Sequence, residues 1–481
     1  MDARKTGGWS TRAAAAYVAV VVALLVVPFA AMPFAPSDPD AELQELAAWP
    51  SLTEDGRVNV NFLSEAGDWF DDHFAFRQQL ITANARVRAD LFGTSPTDQV
   101  VVGTHGWLYY GGTMADYQRT RPLSDRAVAN AAANLALLQR YVEAGGATFL
   151  LAVAPNKNSL YDENMPYYEL AGSGPTNWDR LEAALRKRGV HTVDLFSTLR
   201  EAGGVQYMKT DTHWNTEGAR LAYDAVMDAA DIEHDDYRNA AVTWDDGFIG
   251  DVEAMLYPLG RTPEPVEAYE AAQRFSYENG ATSVEDADIA TASTAERKSG
   301  SLVMYRDSFG NALLPFFATA FREARFSKLV PYDAAIVPAS KADLVVVERA
   351  ERHLDFFATT PPIMPAPLCE GVAADRSVET ATTMDFARDG PYVAVRGVID
   401  GAYASDDMRV CVGVAGDDGE ETWYEAFRQS VKSDDKVDVA TDDGYVARID
   451  ARVLQPETRV SVAVVNDGAA CVLASKQWKE Q

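Results

Sequence analysis

Two stretches of this chain hold residue types that could do chemistry: KTDTHWNTEGAR at 209–220 and MYRDSFGNALLPF at 304–316. In the first, Asp211 stands two residues before His213, one of only six histidines in 481 residues. A carboxylate so placed can orient an imidazole, share a metal, or serve the fold alone. In the second, an apolar run ends at Arg306 and Ser308 falls in a turn before a helix. Open α/β sheets put their sites at this end of a strand. A serine hydroxyl is a poor nucleophile until a base takes its proton, and an imidazole does so only when its other nitrogen is held in the right tautomer. Asp211 and His213 supply that orienter and base. Gly310 would let a substrate carbonyl approach the backbone, and N–H groups of the turn could form an oxyanion hole.

A metal reading needs a third ligand. EHDD at 233–236 offers His234 and Asp235 but matches no familiar ligand spacing, so no metal is expected. The run VVVGTHGWLYYGG at 100–112 lacks the Gly-Lys-Ser/Thr ending of a phosphate loop, and its glycines read as turns. No motif binds coenzyme A or another cofactor. The three cysteines, Cys369, Cys411 and Cys471, form no C-x-x-C pair, which argues against zinc and thioredoxin-like chemistry.

The elements that must position these residues alternate. A helix from Arg126 to Ala144 precedes the apolar strand TFLLAVAP (148–155), and another from Asn177 to Arg188 precedes HTVDLF (191–196). Near-continuous apolar strands between helices predict an α/β domain with a parallel, buried sheet. Asn215 or Thr216 caps the helix after Trp214, so Asp211 and His213 sit on a loop at its start. Residues 231–300 read as a polar insertion. The pattern resumes with SLVMYR (301–306), a helical stretch over 311–324 and the strand DLVVV (343–347). Earlier, 62–92 has a helical spacing in which His73 belongs to a helix face. After TTPPIMPAP (359–367), period-two runs such as YVAVRGVI (392–399) and MRVCVGV (408–414) predict a β-sandwich.

At this length two or three domains are expected, and a net charge of −29 argues against a nucleic-acid partner. Residues 13–32 form an uncharged run of twenty preceded by Arg4, Lys5 and Arg12. Twenty helical residues rise about 30 Å, enough to span a bilayer core, and the basic flank keeps the N-terminus cytoplasmic. A cleaved signal peptide is the rival, but its apolar region is usually about 7–15 residues. The expected organisation is a cytoplasmic N-terminus (1–12), a transmembrane anchor (13–32), a linker (33–60), a catalytic α/β domain (61–358), a linker (359–367) and a β-sandwich (368–481) outside the cell membrane. Cys369 opens the sandwich and Cys471 lies in its last apparent strand, so these two are expected to form a disulfide, with Cys411 reduced.

The motifs WFDDHFAFRQQL, GWLYYGG, APNKNSLYDENMP, KTDTHWNTEGA, RDSFGN and DLVVVERAERHL, in that order over residues 61–357, resemble the AlgJ and AlgX type alginate O-acetyltransferase family and related D-x-H-W proteins. The resemblance implies an SGNH-hydrolase-like α/β domain with the Asp-x-His element before the serine, the reverse of ordinary SGNH hydrolases. It implies Ser308 as nucleophile, His213 as base and Asp211 as orienter. Arg349, at the end of DLVVV, and Lys157, in APNK, become candidates for substrate binding. Their structural alternatives are local pairing of Arg349 with Glu348 or Glu351, and an ordinary surface lysine. The implied activity is acetyl transfer to hydroxyls of an extracytoplasmic polysaccharide, with a membrane-bound O-acyltransferase partner as acetyl donor. Two other readings stay open: an esterase using the same three residues, and a non-catalytic polysaccharide-binding or assembly protein.

Overall fold

The computed structural model describes residues 11–32, 34, 46–54, 56–373, 376–416, 419–431, 440–466 and 468–479. Arg4, Lys5 and nearly all of the 33–40 spacer lie outside the described residues. Helix α1 (Thr11–Ala31) is long and apolar enough to cross a membrane, and none of its apolar window is buried against protein. Helices α2 (Phe62–His73) and α3 (Arg77–Val87) follow, then an antiparallel hairpin of β1 (Val100–Val102) and β2 (Leu108–Tyr110).

The α/β part begins with α4 (Asp125–Ala144), which starts where the Ser124 hydroxyl accepts the N–H of Ala127. It buries Ala131, Leu135, Leu138 and Val142, one stripe at helical spacing. Then come β3 (Thr148–Ala154), α5 (Asn177–Lys187) with a Thr176/Asp179 capping box, and β4 (Thr192–Val193). Helix α6 (Thr216–Ala229) is capped by the Asn215 side chain, and α7 (Asp251–Leu256) is short. The remaining elements are β5 (Phe275–Tyr277), β6 (Asp288–Ser293), β7 (Ser299–Tyr305), α8 (Gly310–Ala320), β8 (Phe321–Ser327) and β9 (Leu344–Ala350).

The seven strands run in the order β4-β3-β9-β7-β8-β6-β5. Neighbours are parallel from β4 to β8, whereas β6 and β5 are antiparallel. The sheet is therefore mixed rather than parallel throughout. Period two divides its side chains: Leu150, Ala152, Met304 and Val346 pack under α6 and α8, while Phe149, Leu151, Val303 and Val345 pack under α4 and α5. With both faces covered, alternation of burial vanishes and the strands read as apolar runs.

Two expectations need correction. Residues 231–300 are no mere insertion, because they supply β5 at the edge and β6 beside it; these strands are only half covered, so they carry polar residues and hid their role. The helix expected over 311–324 stops at Ala320, and FREARFS becomes β8. Pairing with β7 on one side and β6 on the other outweighs the helical preference of its Arg, Glu and Ala residues.

The C-terminal part holds β10 (Asp385–Asp389), β11 (Tyr392–Val398), β12 (Arg409–Ala415), β13 (Glu421–Glu425), β14 (Phe427–Val431), β15 (Thr441–Asp450), β16 (Arg459–Asn466) and β17 (Ala469–Gln477). Arg376–Ser377, β17, β16, β12 and β13 make one sheet, and β10, β11, β15 and β14 the other. Val393, Val395 and Ile449 of the second meet Val410, Val412 and Val462 of the first in a shared core. The disulfide joins Cys369 to Cys411, with Cys471 as the free thiol, which overturns the expected Cys369–Cys471 bridge. The register explains this. Strand β16 lies between Cys411 on β12 and Cys471 on β17, whereas Leu368, beside Cys369, bridges to Tyr424 on β13, the other neighbour of β12. This sandwich packs on α4, where the buried Asn134 amide donates to the carbonyls of Phe357 (2.9 Å) and Arg428 (2.7 Å).

Candidate active site

The carboxyl ends of β3, β9 and β7 reach the same edge of the sheet, and the two chemically informative stretches meet there. Residues 207–214 form a closed loop: Tyr207 and Trp214 bridge as antiparallel partners, and the N–H of Met208 donates to the His213 carbonyl at 3.1 Å. Asp211 and His213 occupy its far side. The Trp214 indole donates to the Phe309 carbonyl at 3.1 Å and so ties this loop to the serine turn. The Phe309 ring also meets those of Trp214 (5.1 Å) and His213 (4.8 Å).

His213 Nδ1 lies 2.7 Å from Asp211 Oδ1, and His213 Nε2 lies 2.7 Å from Ser308 Oγ. An ionised Asp211 can only accept, so Nδ1 carries the proton and Nε2 is left to accept from the serine hydroxyl. Burial opposes ionisation of Asp211, but the His213 ring and the backbone N–H groups of Asp251 and His213 overcome it and hold its carboxyl down to about 2. Burial raises the neighbouring Asp251, and the Asp211 charge adds to that.

Supports for this geometry come from residues whose role the sequence did not reveal. The N–H of Asp251 donates to Asp211 Oδ2 at 2.8 Å, and the Asp251 carboxylate takes the N–H and hydroxyl of Thr212 at 2.7 and 2.5 Å. That approach requires Gly250, where a Cβ would fall 2.3 Å from the Thr210 carbonyl oxygen. Asp307 shapes the serine turn: Oδ1 accepts the N–H of Phe309 (3.0 Å) and Oδ2 that of Ala350 (2.9 Å). Despite the burial that opposes it, His353 and these backbone donors hold the Asp307 carboxyl far below the usual range. The Ser308 N–H has no acceptor among the described residues.

The other expected site residues lie elsewhere. Lys157 is not a surface lysine: it is buried, and its ammonium donates to the carbonyls of Met208 (3.1 Å), Lys209 (3.0 Å) and Asp211 (2.6 Å), filling the loop from inside. Burial pulls its pKa down to about 7 against the charges of Asp211, Asp251 and Glu264. Arg349 shares the strand parity of Val345 and Val347, so it points to the α4 face, where its guanidinium stacks on Phe356 at 4.0 Å. Gly310 is buried. A Cβ there would lie 2.7 Å from Arg306, so the glycine makes room for Arg306 and Glu348 rather than for a substrate.

Beside Ser308 and His213 opens a cavity of about 640 Å³. Its far wall is built by Phe248, Ile249, Val266, Ala268 and Tyr269, all from the segment read as an insertion. Asp211, His213 and Asp251 also present three oxygen or nitrogen atoms within 4.8 Å of one another, a separation that could hold a cation. Their lone pairs are instead engaged by Thr212 and by backbone and ring N–H groups, the pattern of an orienting chain. As an arrangement, the site can move a proton from Ser308 through His213 and stabilise the imidazolium that forms.

Fold and site together define an SGNH-hydrolase-like α/β domain. Residues 100–290 match the family model described as the SGNH hydrolase-like domain of the acetyltransferase AlgX; the match contains Asp211 and His213 and ends before Ser308. A probable alginate O-acetylase AlgJ of Pseudomonas syringae pv. tomato is 27% identical over 185 residues, which cover 37% of this chain and 45% of the relative. The protein of the same description in Pseudomonas aeruginosa is 31% identical over 125 residues, 25% of this chain and 30% of the relative. The chain thus spans less than half the length of these curated relatives. Among solved structures, a DHHW family protein from Eubacterium siraeum overlays with a TM-score of 0.43 at 17% identity, covering 54% of this chain and 92% of that one. Within this α/β domain the chain is similar to proteins of the AlgJ/AlgX type.

Proposed function

We propose that this protein is a membrane-anchored O-acetyltransferase that acts on an extracytoplasmic polysaccharide through an acetyl-serine intermediate. The Asp211–His213–Ser308 chain, with its two 2.7 Å contacts, carries the reading. His213 Nε2 takes the Ser308 proton as Oγ attacks the acetyl carbonyl; the donor's alcohol leaves with that proton and acetyl stays on Ser308. A sugar hydroxyl then gives its proton to His213 and attacks the ester, and the proton returns to Ser308 Oγ. In this reading the Ser308 N–H, which has no acceptor among the described residues, donates to the carbonyl oxygen of the intermediate.

The relatives named alginate O-acetylase support a polysaccharide acceptor, and the reading takes a membrane-bound O-acyltransferase as the acetyl donor. Helix α1 supports anchoring, with the N-terminus cytoplasmic and residues 61–358 working as the catalytic domain outside. The test supplies an activated acetyl ester and the native glycan to the wild type and to Ser308→Ala. The reading requires glycan acetylation, seen by mass spectrometry, that is lost in Ser308→Ala. Loss of acetyl from pre-acetylated glycan with no transfer would make the protein an esterase.

A further inference from the structure

Helix α3 continues through a wider turn, Arg88–Phe92, giving sixteen residues or about 24 Å of helix. One side is packed: Ala85 is fully buried against Val100 and Leu108, the Thr82 hydroxyl accepts the N–H of Leu259, and Arg86 lies over the Tyr257 ring. The opposite side presents Leu80, Ala83, Val87 and Leu91 at steps of three, four and four, all exposed, Leu80 at 38% and Leu91 at 72%. A surface helix normally turns its polar side outward. This one turns a row of apolar side chains outward instead.

The surroundings repeat the pattern. Eleven of the large apolar side chains left exposed lie within residues 49–92, among them Val60 at 90% and Leu63 at 84%. The stretch Arg77–Phe92 holds three arginines and one aspartate in a chain of net charge −29. The end of α1 touches this region directly: the Pro28 carbonyl accepts the N–H of Ala75 at 3.3 Å, and Phe29 stacks on Phe70 at 6.1 Å. Trp49 and Trp69 join them edge to face at 5.0 Å, so an aromatic cluster sits where α1 ends. Such rings are enriched at the level of lipid headgroups.

We propose that the outer face of α3 lies on the bilayer surface, with Leu80, Val87 and Leu91 dipped into the headgroup boundary. A helix with an apolar outer face in that position binds by the apolar area it buries. The proposal rests on the anchor reading of α1. It gives the anchor a second footing, which fixes the height of the catalytic edge above the membrane instead of leaving it on a tether.

The experiment uses the full chain in nanodiscs of mixed zwitterionic and anionic phospholipid, with Cys471→Ser as background and the native disulfide kept. Single cysteines at Val87, Leu91, Val20 in α1, and Val453 on the sandwich carry an environment-sensitive fluorophore. The expected result is blue-shifted emission at 87 and 91, quenched by lipids spin-labelled near the headgroup, with 453 unshifted. Emission at 87 and 91 matching 453, while the probe at 20 reports lipid, overturns the proposal and leaves the anchor standing. A probe at 20 that reports water overturns both. Blue shift at 87 that persists without lipid quenching, with cross-links between copies, assigns the face to a second chain and overturns it as well.

Discussion

Replacing Lys157 with methionine keeps the stem and removes three donors from the interior of the 207–214 loop. The Lys209 carbonyl retains a partner in the N–H of Leu108, so the carbonyls of Met208 and Asp211 are the two left without one. An orphaned buried acceptor costs about 1–3 kcal/mol, which gives a loss of about 2–6 kcal/mol for the pair. The Asp211 carbonyl is held at 2.6 Å, so losing that grip loosens the backbone that carries the carboxylate against His213. Misplacement by about 1 Å can cost about 100-fold in rate, and kcat on an activated acetyl ester should fall by that order with KM nearly unchanged. Lys157→Arg, too large for the loop, should not rescue.

There is a pH signature as well. The unfolded chain keeps this lysine protonated to about pH 10.4, whereas burial lets the folded chain release the proton near about 7. Between those values the unfolded state binds more protons, so folding stability should rise with pH across that window in the wild type and not in Lys157→Met. Urea unfolding of both proteins from pH 6.5 to 10 gives the difference. A raised KM with normal kcat would instead make Lys157 a substrate contact and refute the reasoning. Unchanged kcat in a destabilised variant would refute the link to Asp211.

Gly250→Ala should push α7 off the 207–214 loop, cost about 1–3 kcal/mol as an overpacked site and lower kcat at least tenfold, measured by denaturation and turnover. Asp211, held at about 2 against 3.8, should contribute about 2 kcal/mol that is present above pH 4 and lost as pH falls towards 2. The stability gap between wild type and Asp211→Asn should narrow over that range. Non-reducing peptide mapping should recover a Cys369–Cys411 peptide and an alkylated Cys471; closing that loop contributes about 4 kcal/mol in the chain-entropy account, so Cys411→Ser should lower the denaturation midpoint.

The residues legible in the sequence are those whose chemistry needs a short local pattern. Asp211 and His213 are two apart, Ser308 follows an apolar strand, and each could be found by asking what a hydroxyl needs in order to react. Arg349 was a candidate for the site in the sequence: its parity with Val345 and Val347 is visible there, but only the fold sets α4 over that side and so turns Arg349 away from the site. Lys157, Gly250 and Asp251 follow a different logic. Each acts on atoms between 39 and 54 positions away, through backbone groups that every residue possesses, so no side-chain pattern marks them. The same holds for the cavity wall of Phe248, Ile249, Val266, Ala268 and Tyr269, which comes from a polar segment of short elements and therefore looks like loop. Chemistry at this site is written in side chains and can be read one stretch at a time; the rigidity that makes it work is made by backbone carbonyls and N–H groups brought together only when the sheet is assembled.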